Sequence, residues 1–382
     1  MSHTGGGKLP LEGAAKLDFL CRCGSDRPYQ DCHLGREHQR PLTIQEFKSK
    51  MPGSYSKAYC LHPAASRATC SPKIIKAHTI QRGGSLSKIA RRGQVYGFRP
   101  DYSVFGTGAG TFSRPRLLGI SHASTFTGFC DTHDRTTFLP IETRPFIGTQ
   151  EQSFLLGYRA ICSEEFAKDV SLAQSIPLLR ETDRGKPFEA QRAIQAFVDQ
   201  TEREVRAGRE DIRLYKALYD DALCRGDFSA SRYYIVWFAN APDLMCSGAT
   251  QFQVDFAGRQ LQDWTNLQGP HLEFGTFSLI ATESGGAAVF QWIGDSTPIT
   301  AFVRSLHALT NEQVPDALVR LAFEYFENVY MTPDWWEGLE GTVRDRLIAR
   351  HHTAIDHDST CLQEDGIHCV SWTVTGRETN AL

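Results

Sequence analysis

Apolar residues recur three and four positions apart between residues 148 and 228, and this spacing predicts helices. The period is clearest over residues 151–170 and 189–226. From about residue 229 the chain changes to short runs rich in β-branched and aromatic residues, which predict strands at 231–239, 250–258, 271–284 and 285–294. Helical spacing then returns at 299–309, 315–330 and 334–355, and a last strand-like run covers 367–374.

Helices, then a sheet, then helices again predict an α+β fold. The turn sequence Ser284-Gly285-Gly286 separates two of the strand runs and predicts a hairpin, so we expect the sheet to be antiparallel. Changes in composition divide the chain into four predicted segments. They are a short tail with a cysteine cluster (1–42), a basic segment rich in Gly, Ser and Thr (43–147), a helical segment (148–228) and an α+β domain (229–382).

The charge of the chain is distributed very unevenly. The net charge is only −3, but residues 1–150 contain 21 Lys+Arg against 10 Asp+Glu, and the remainder contains 20 against 34. Between Lys48 and Arg116 there are 13 basic residues, and Asp101 is the only acidic one. This uneven charge predicts a basic module that binds an anionic partner, joined to an acidic body. The alternative is a basic face that packs against the protein's own acidic half.

The remaining composition indicates a folded chain outside the membrane. Hydrophobic residues make up 41% of the 382 residues, and no apolar run is long enough for a transmembrane helix. The first residues lack the apolar stretch of a signal peptide, so we expect a cytoplasmic protein with no membrane partner. In such a chain, cysteines at metal-ligand spacing favour zinc over disulfides.

The first cysteine cluster lies in residues 21–35, CRCGSDRPYQDCHLG. Three thiols and an imidazole in thirteen positions suit a closed tetrahedral zinc site, and such a short segment would take its folding energy from the metal. The stretch resembles the SEC-C motif, CxCGS…Y…CHG, although Leu34 stands before the glycine. The resemblance implies a zinc finger that docks onto proteins or ribosomes. The predicted ligands are Cys21, Cys23, Cys32 and His33.

A second constellation spans residues 60–82 and 128–138. Two cysteines precede a strand-like run that ends in a histidine, and a C-x-x-H pair follows later, an order that can close a treble-clef-like zinc fold. His62 could replace Cys70, because Cys60-x-His62 is also geometrically suitable. The predicted ligands of this second structural zinc site are Cys60, Cys70, Cys130 and His133.

The second constellation, about residues 57–138, resembles an HNH endonuclease module. In that family the strand histidine is the general base and a divalent ion steadies the phosphate, so the resemblance implies His78 as the base and Mg²⁺ or Mn²⁺ as a further cofactor. Asp134 is the candidate ligand of that ion. The chain departs from the family pattern at Ala77, where an acidic residue is usual, and at Thr125, where an asparagine is usual.

Basic side chains surround this module and could neutralise phosphates. The candidates for nucleic-acid contact are Lys73, Lys76, Lys88, Arg82, Arg91 and Arg92. The sequence thus favours a zinc protein that binds nucleic acid, with metal-dependent cleavage as a further activity. The alternative is a non-catalytic adaptor that docks proteins or ribosomes through the finger and the acidic body.

Overall fold

The computed structural model describes residues 20–21, 25–50, 59–98, 114–263, 265–266, 269–355 and 362–382. The chain divides into two compact units. The first unit consists of Met1–Met51 and Leu172–Glu204, and the second consists of Pro52–Ser171 and Val205–Leu382. The predicted α+β class is confirmed, because the described residues form helices and antiparallel sheets.

The described helices match most of the helical spacing in the sequence. They are α1 Ile44–Lys50, α2 Ser87–Ile89, α3 Asp131–Thr137, α4 Leu139–Glu142, α5 Gln150–Val170, α6 Ile176–Arg180, α7 Phe188–Arg225, α8 Thr297–His307, α9 Val314–Tyr325, α10 Pro333–Gly338 and α11 Gly341–Ile355. Helix α5 begins at a Thr149 cap, whose side chain accepts a hydrogen bond from the Gln152 amide. Helix α7 ends before Gly226, which has a φ of +63° that glycine adopts without strain.

The described strands form two sheets, both in the second unit. They are β1 Ile74–His78, β2 Gln94–Gly97, β3 Arg116–Gly119, β4 Thr125–Cys130, β5 Ser231–Phe238, β6 Leu244–Thr250, β7 Gly275–Ala281, β8 Gly286–Ile293, β9 Val329–Met331 and β10 Val374–Thr379. Strands β1 and β4 form an antiparallel pair, and the others form one antiparallel sheet in the order β10-β5-β8-β7-β6-β9-β2-β3. Strands β2 and β3, from the basic part of the sequence, therefore share a sheet with the C-terminal strands.

Two strand predictions were wrong. Residues 250–258 contribute only Thr250 to β6, because the buried Asp255 carboxylate accepts hydrogen bonds from the amides of Ala257 and Arg259 and closes a turn there. The last strand is β10, which begins where the predicted run at 367–374 ends. The Ser284-Gly285-Gly286 hairpin prediction is confirmed by the pairing of β7 with β8.

Alternation along β8 shows how the large sheet is covered on both faces. Ala288, Phe290 and Trp292 belong to the core formed with α8 and α9. Gln291, on the opposite face, approaches α5 so closely that a Cβ added to Gly157 would lie 1.7 Å from its Oε1 atom. The face carrying Gln291 is therefore covered by α5, which also carries side chains close to one of the two cysteine clusters.

Candidate metal centres

The first cluster gathers Cys21, Cys32 and His33 in the first unit. The His33 Nδ1 atom lies 3.1 Å from Cys21 Sγ and 3.3 Å from Cys32 Sγ. The turn at Tyr29–Asp31 joins the two ends of the cluster, and the Tyr29 ring packs edge-on against Phe188. The fourth predicted ligand, Cys23, lies outside the described residues.

A buried carboxylate fixes the tautomer of His33. Its Nε2 atom lies 2.7 Å from Asp183 Oδ2, and Asp183 is fully buried. Because a carboxylate only accepts, Nε2 carries the proton and Nδ1 presents its lone pair to the two sulfur atoms. Arg36 and Gln195 donate to the same carboxylate. A ligating histidine that gives its other N–H to a carboxylate is the usual arrangement around protein-bound metals.

Replacing Asp183 with asparagine should weaken metal binding at the first cluster by about 10-fold to 100-fold, because the amide no longer supports the imidazole as a charged acceptor. Competition with a chromophoric chelator measures this loss. Asp199→Asn is the matched control, since Asp199 pairs with Arg180 and does not contact His33. Equal chelator resistance of the wild type and both variants would contradict this role of Asp183.

The second cluster joins Cys60, Cys70, Cys130 and His133 in the second unit. Cys60 and Cys70 lie in the loop before β1, and Cys130 ends β4, which is paired with β1. Cys130 is also the N-cap of α3, and its sulfur accepts a hydrogen bond from the His133 amide. The local structure is thus a two-stranded pair followed by a helix, with one ligand pair on the loop and the other at the helix start.

The contacts of His133 Nδ1 point to a metal ion. This atom lies 3.4 Å from Cys60 Sγ, 3.6 Å from Cys70 Sγ and 3.2 Å from Cys130 Sγ. One ring nitrogen carries at most one proton, so it cannot bond all three sulfur atoms through hydrogen. Burial disfavours the Cys130 thiolate, but hydrogen bonds from His133 and Ser71 outweigh burial and lower its pKa to about 6. Cys130 is therefore suited to bind a cation as a thiolate, while burial raises the pKa of Cys60.

His62 lies beside the second cluster but outside it. Its ring stacks on that of His133, with the ring centroids 4.1 Å apart, and its Nδ1 accepts a hydrogen bond from the Ala64 amide. Of the two alternatives that the sequence left open, Cys70 and His62, it is Cys70 that belongs to the second cluster.

His78 is positioned on β1 directly opposite Thr125 of β4. Its Nε2 atom donates to the Ile120 carbonyl at 3.2 Å. Burial lowers the pKa of His78, the hydrogen bond to Ile120 opposes this, and the nearby Arg82 and Arg159 lower the pKa further. The side chain is therefore a neutral imidazole at pH 7.

Asp134 faces a buried arginine. Its Oδ1 atom lies 3.9 Å from Arg159, whose side chain is only 2% exposed, and Arg159 also pairs with Glu142. Burial raises the pKa of Asp134, and Arg159 partly offsets that effect. In the ranges that the structure describes, neither Asp134 nor His78 belongs to a group of side chains close enough to hold a metal ion.

The six candidate basic residues differ in their surroundings. Arg91 pairs with Asp334 and Glu337 of α10 at 2.7 and 2.6 Å, and Lys88 donates to the Thr282 carbonyl. The sequence left open that basic residues pack against the protein's own acidic residues, and Arg91 does so. The other four side chains are exposed: Lys73, Lys76, Arg82 and Arg92.

No helix in the described part of the chain is both long and apolar enough to cross a membrane. Comparison of the chain with protein-family models, with curated proteins and with solved structures finds no match in any of the three.

Proposed function

We propose that the protein is a zinc-stabilised nucleic-acid-binding protein whose second cluster organises a module of the HNH type. The convergence of three sulfur atoms on His133 Nδ1 carries the proposal. With Zn–S bonds of about 2.3 Å and a Zn–N bond of about 2.0 Å, tetrahedral geometry separates sulfur from nitrogen by about 3.5 Å. The sulfur–nitrogen distances of 3.2 to 3.6 Å in the second cluster bracket that value.

A second zinc ion at the first cluster would complete the metal content. Two sulfur atoms and an oriented imidazole are present there, and Cys23 is the fourth ligand that the SEC-C resemblance supplies. Outside the two clusters, the described cysteines are free thiols: Cys162, Cys224, Cys246 and Cys369. Free thiols and zinc thiolates persist in a reducing compartment, which supports a cytoplasmic location.

The exposed cations around the second cluster support a nucleic-acid partner. Lys76 lies on β1, Lys73 directly precedes the strand and Arg82 follows it, all between the candidate ligands Cys70 and Cys130 in the sequence. Basic groups on a rigid strand can follow a phosphate backbone, and each neutralised phosphate releases a counterion. This arrangement favours contact with phosphates rather than recognition of a base sequence.

In this proposal the module binds nucleic acid but does not cleave it. Hydrolysis of a phosphodiester needs a metal ion to stabilise the charge that develops on phosphate. Ala77 stands where the HNH pattern has an acidic residue, and the Asp134 carboxylate is engaged by Arg159. His78 can accept a proton at Nδ1, but it lacks a carboxylate partner for a catalytic ion among the described residues.

Charge reversal at Lys73, Lys76 and Arg82 tests the binding proposal. We expect the triple glutamate variant to bind labelled DNA and RNA at least 100-fold more weakly at 50 mM salt. Its log–log salt slope should also be smaller by about three, because three phosphate contacts are lost. Fluorescence anisotropy between 50 and 200 mM salt measures both quantities.

The matched control reverses three exposed arginines of α7, Arg192, Arg203 and Arg225, which changes the net charge equally. Equal weakening by both triple variants would mean that only total charge matters, and no binding by the wild type would remove the proposal. Incubation with Mg²⁺ or Mn²⁺ tests cleavage in parallel. Cutting that His78→Ala abolishes, with metal content intact, would make the protein an active nuclease.

The second candidate function is that of an adaptor that docks through the SEC-C-like finger. Leu20 and Leu34, at the two ends of the finger, are 61% and 51% exposed. Exposed leucines beside a metal cluster suit contact with a protein or ribosome surface. Retention of a partner by the wild type and its loss in a Leu20→Ser/Leu34→Ser variant, with no nucleic-acid binding by either, would favour this function.

A further inference from the structure

The residue that follows Cys60 is held by hydrogen bonds at both of its backbone groups. The Leu61 amide donates to the Gly128 carbonyl of β4 at 2.9 Å, and the Leu61 carbonyl accepts from the Lys216 ammonium of α7 at 2.8 Å. A Cβ added to Gly128 would lie 3.0 Å from Leu61 Cδ1, so the loop packs directly on β4. The Cys60 sulfur lies 3.4 Å from His133 Nδ1, and the bonds to Leu61 help to fix its place in the second cluster.

Lys216 is buried, and its ammonium group has an acceptor for each of its three hydrogens. The side chain is 8% exposed, and besides the Leu61 carbonyl it contacts the two carboxylate oxygens of Asp220, at 2.9 and 2.7 Å. Asp220 is itself oriented by the Tyr158 hydroxyl, which donates to its Oδ1 atom at 3.0 Å. A fixed carboxylate thus holds the ammonium group against the Leu61 carbonyl.

A role in helix stability alone does not account for this arrangement. Asp220 lies four positions after Lys216 on α7, and pairs at that spacing contribute little to the stability of a helix. A buried ion pair also loses the hydration of both charges, so its burial is weak evidence for a stabilising role. The remaining hydrogen of Lys216 leaves the helix for a backbone carbonyl 155 positions earlier in the chain. The pair therefore acts on the conformation of the loop that carries Cys60.

We propose that Lys216, held by Asp220, is a positioning residue for the Cys60 ligand of the second cluster. By binding the Leu61 carbonyl it keeps the loop closed against β4, so that the Cys60 sulfur stays within reach of an ion bound by the other three members of the cluster. The inference rests on the zinc site proposed above. It adds α7, which carries none of the cluster's ligands, to the elements that determine its metal affinity.

Replacement of Lys216 with methionine tests the proposal, because methionine has a similar length and cannot donate to the Leu61 carbonyl. We expect the zinc affinity of the second cluster to fall about 10-fold to 100-fold, as is typical when an outer partner of a metal ligand is lost. Competition of the zinc-loaded full chain with a chromophoric chelator measures the affinity. The binding step that is absent in Cys130→Ser identifies the second cluster, and the first cluster serves as an internal reference whose affinity should stay unchanged.

Tyr219→Phe is the matched control for a loss of stability alone. Tyr219 lies on the same helix and is fully buried, and its hydroxyl donates to Gln291 Oε1 of β8 at 2.6 Å. Removal of this hydroxyl should lower the melting temperature but leave the zinc affinity unchanged. Destabilisation of the whole unit does not alter the affinity of a site in the folded protein, because the ion binds the folded state. Zinc affinity is therefore the quantity that a merely structural role of Lys216 would leave unchanged.

The double variant Lys216→Met/Asp220→Leu covers the case in which the single variant fails to fold. It leaves neither charge of the pair buried alone, and apolar replacement of a buried ion pair is often neutral for stability. It should show the same loss of zinc affinity at the second cluster. Wild-type affinity in either variant, or an equal loss in Tyr219→Phe, would overturn the role of Lys216 and leave the zinc site standing. A wild-type chain whose second cluster binds no zinc would overturn both the site and this inference.

Discussion

We expect Cys130→Ser to release one of the two proposed zinc ions and to lower the free energy of unfolding of the second unit by about 5 kcal/mol or more. Cys130 is fully buried and is at once a member of the second cluster, the last residue of β4 and the N-cap of α3. Serine retains the cap but loses the thiolate, and a neutral hydroxyl is a poor zinc ligand. Denaturant unfolding and elemental analysis measure the two effects.

Cys224→Ser is the matched control for this prediction. Cys224 is an exposed free cysteine of α7 and belongs to neither cluster. We expect its replacement to change the unfolding free energy by less than about 0.5 kcal/mol and to leave the metal content intact. A Cys130→Ser protein that keeps both ions, or that is as stable as Cys224→Ser, would contradict the role assigned to the second cluster.

Arg159→Met will destabilise the second unit by about 3–5 kcal/mol. Arg159 lies beside Asp134 and Glu142, and its guanidinium carbon lies 3.9 Å from the centre of the Phe138 ring. Methionine has a similar length, so the main loss is the positive charge that balances the Asp134 carboxylate, whose side chain is only 15% exposed. A charge left buried without its partner accounts for this large cost.

Arg135→Met controls for the removal of an arginine from the same module. Arg135 lies on α3, is 77% exposed and pairs with Asp131 only at 3.7 Å. We expect a change below about 0.5 kcal/mol, as is usual for exposed ion pairs. Similar stability of the two variants would show that Arg159 does not balance a buried charge. Metal analysis of each variant separates this effect from loss of zinc.

The spacing of cysteines and histidines allowed the ligands of both clusters to be proposed from the sequence. Within each pair the residues lie one to ten positions apart, so local chain geometry brings them together. The choice between His62 and Cys70 depended on the path of the loop, which spacing does not determine. Asp183 could not be found from the motif, because it lies 150 residues away from His33.

Long-range pairing limited the prediction of the fold. Helices such as α5 follow from local periodicity, and the β7–β8 hairpin follows from its turn. The pairing of β2 with β9 joins residues more than 230 positions apart, and no local signal encodes it.

Zinc analysis of the purified full chain, combined with X-ray absorption at the zinc edge, tests the proposed pair of zinc sites most directly. We expect two zinc ions per chain, each with about three sulfur ligands and one nitrogen ligand in tetrahedral geometry. The sulfur distances should be near 2.3 Å. A folded protein that contains no zinc, or zinc bound mainly by oxygen, would contradict the assignment of both clusters as zinc sites.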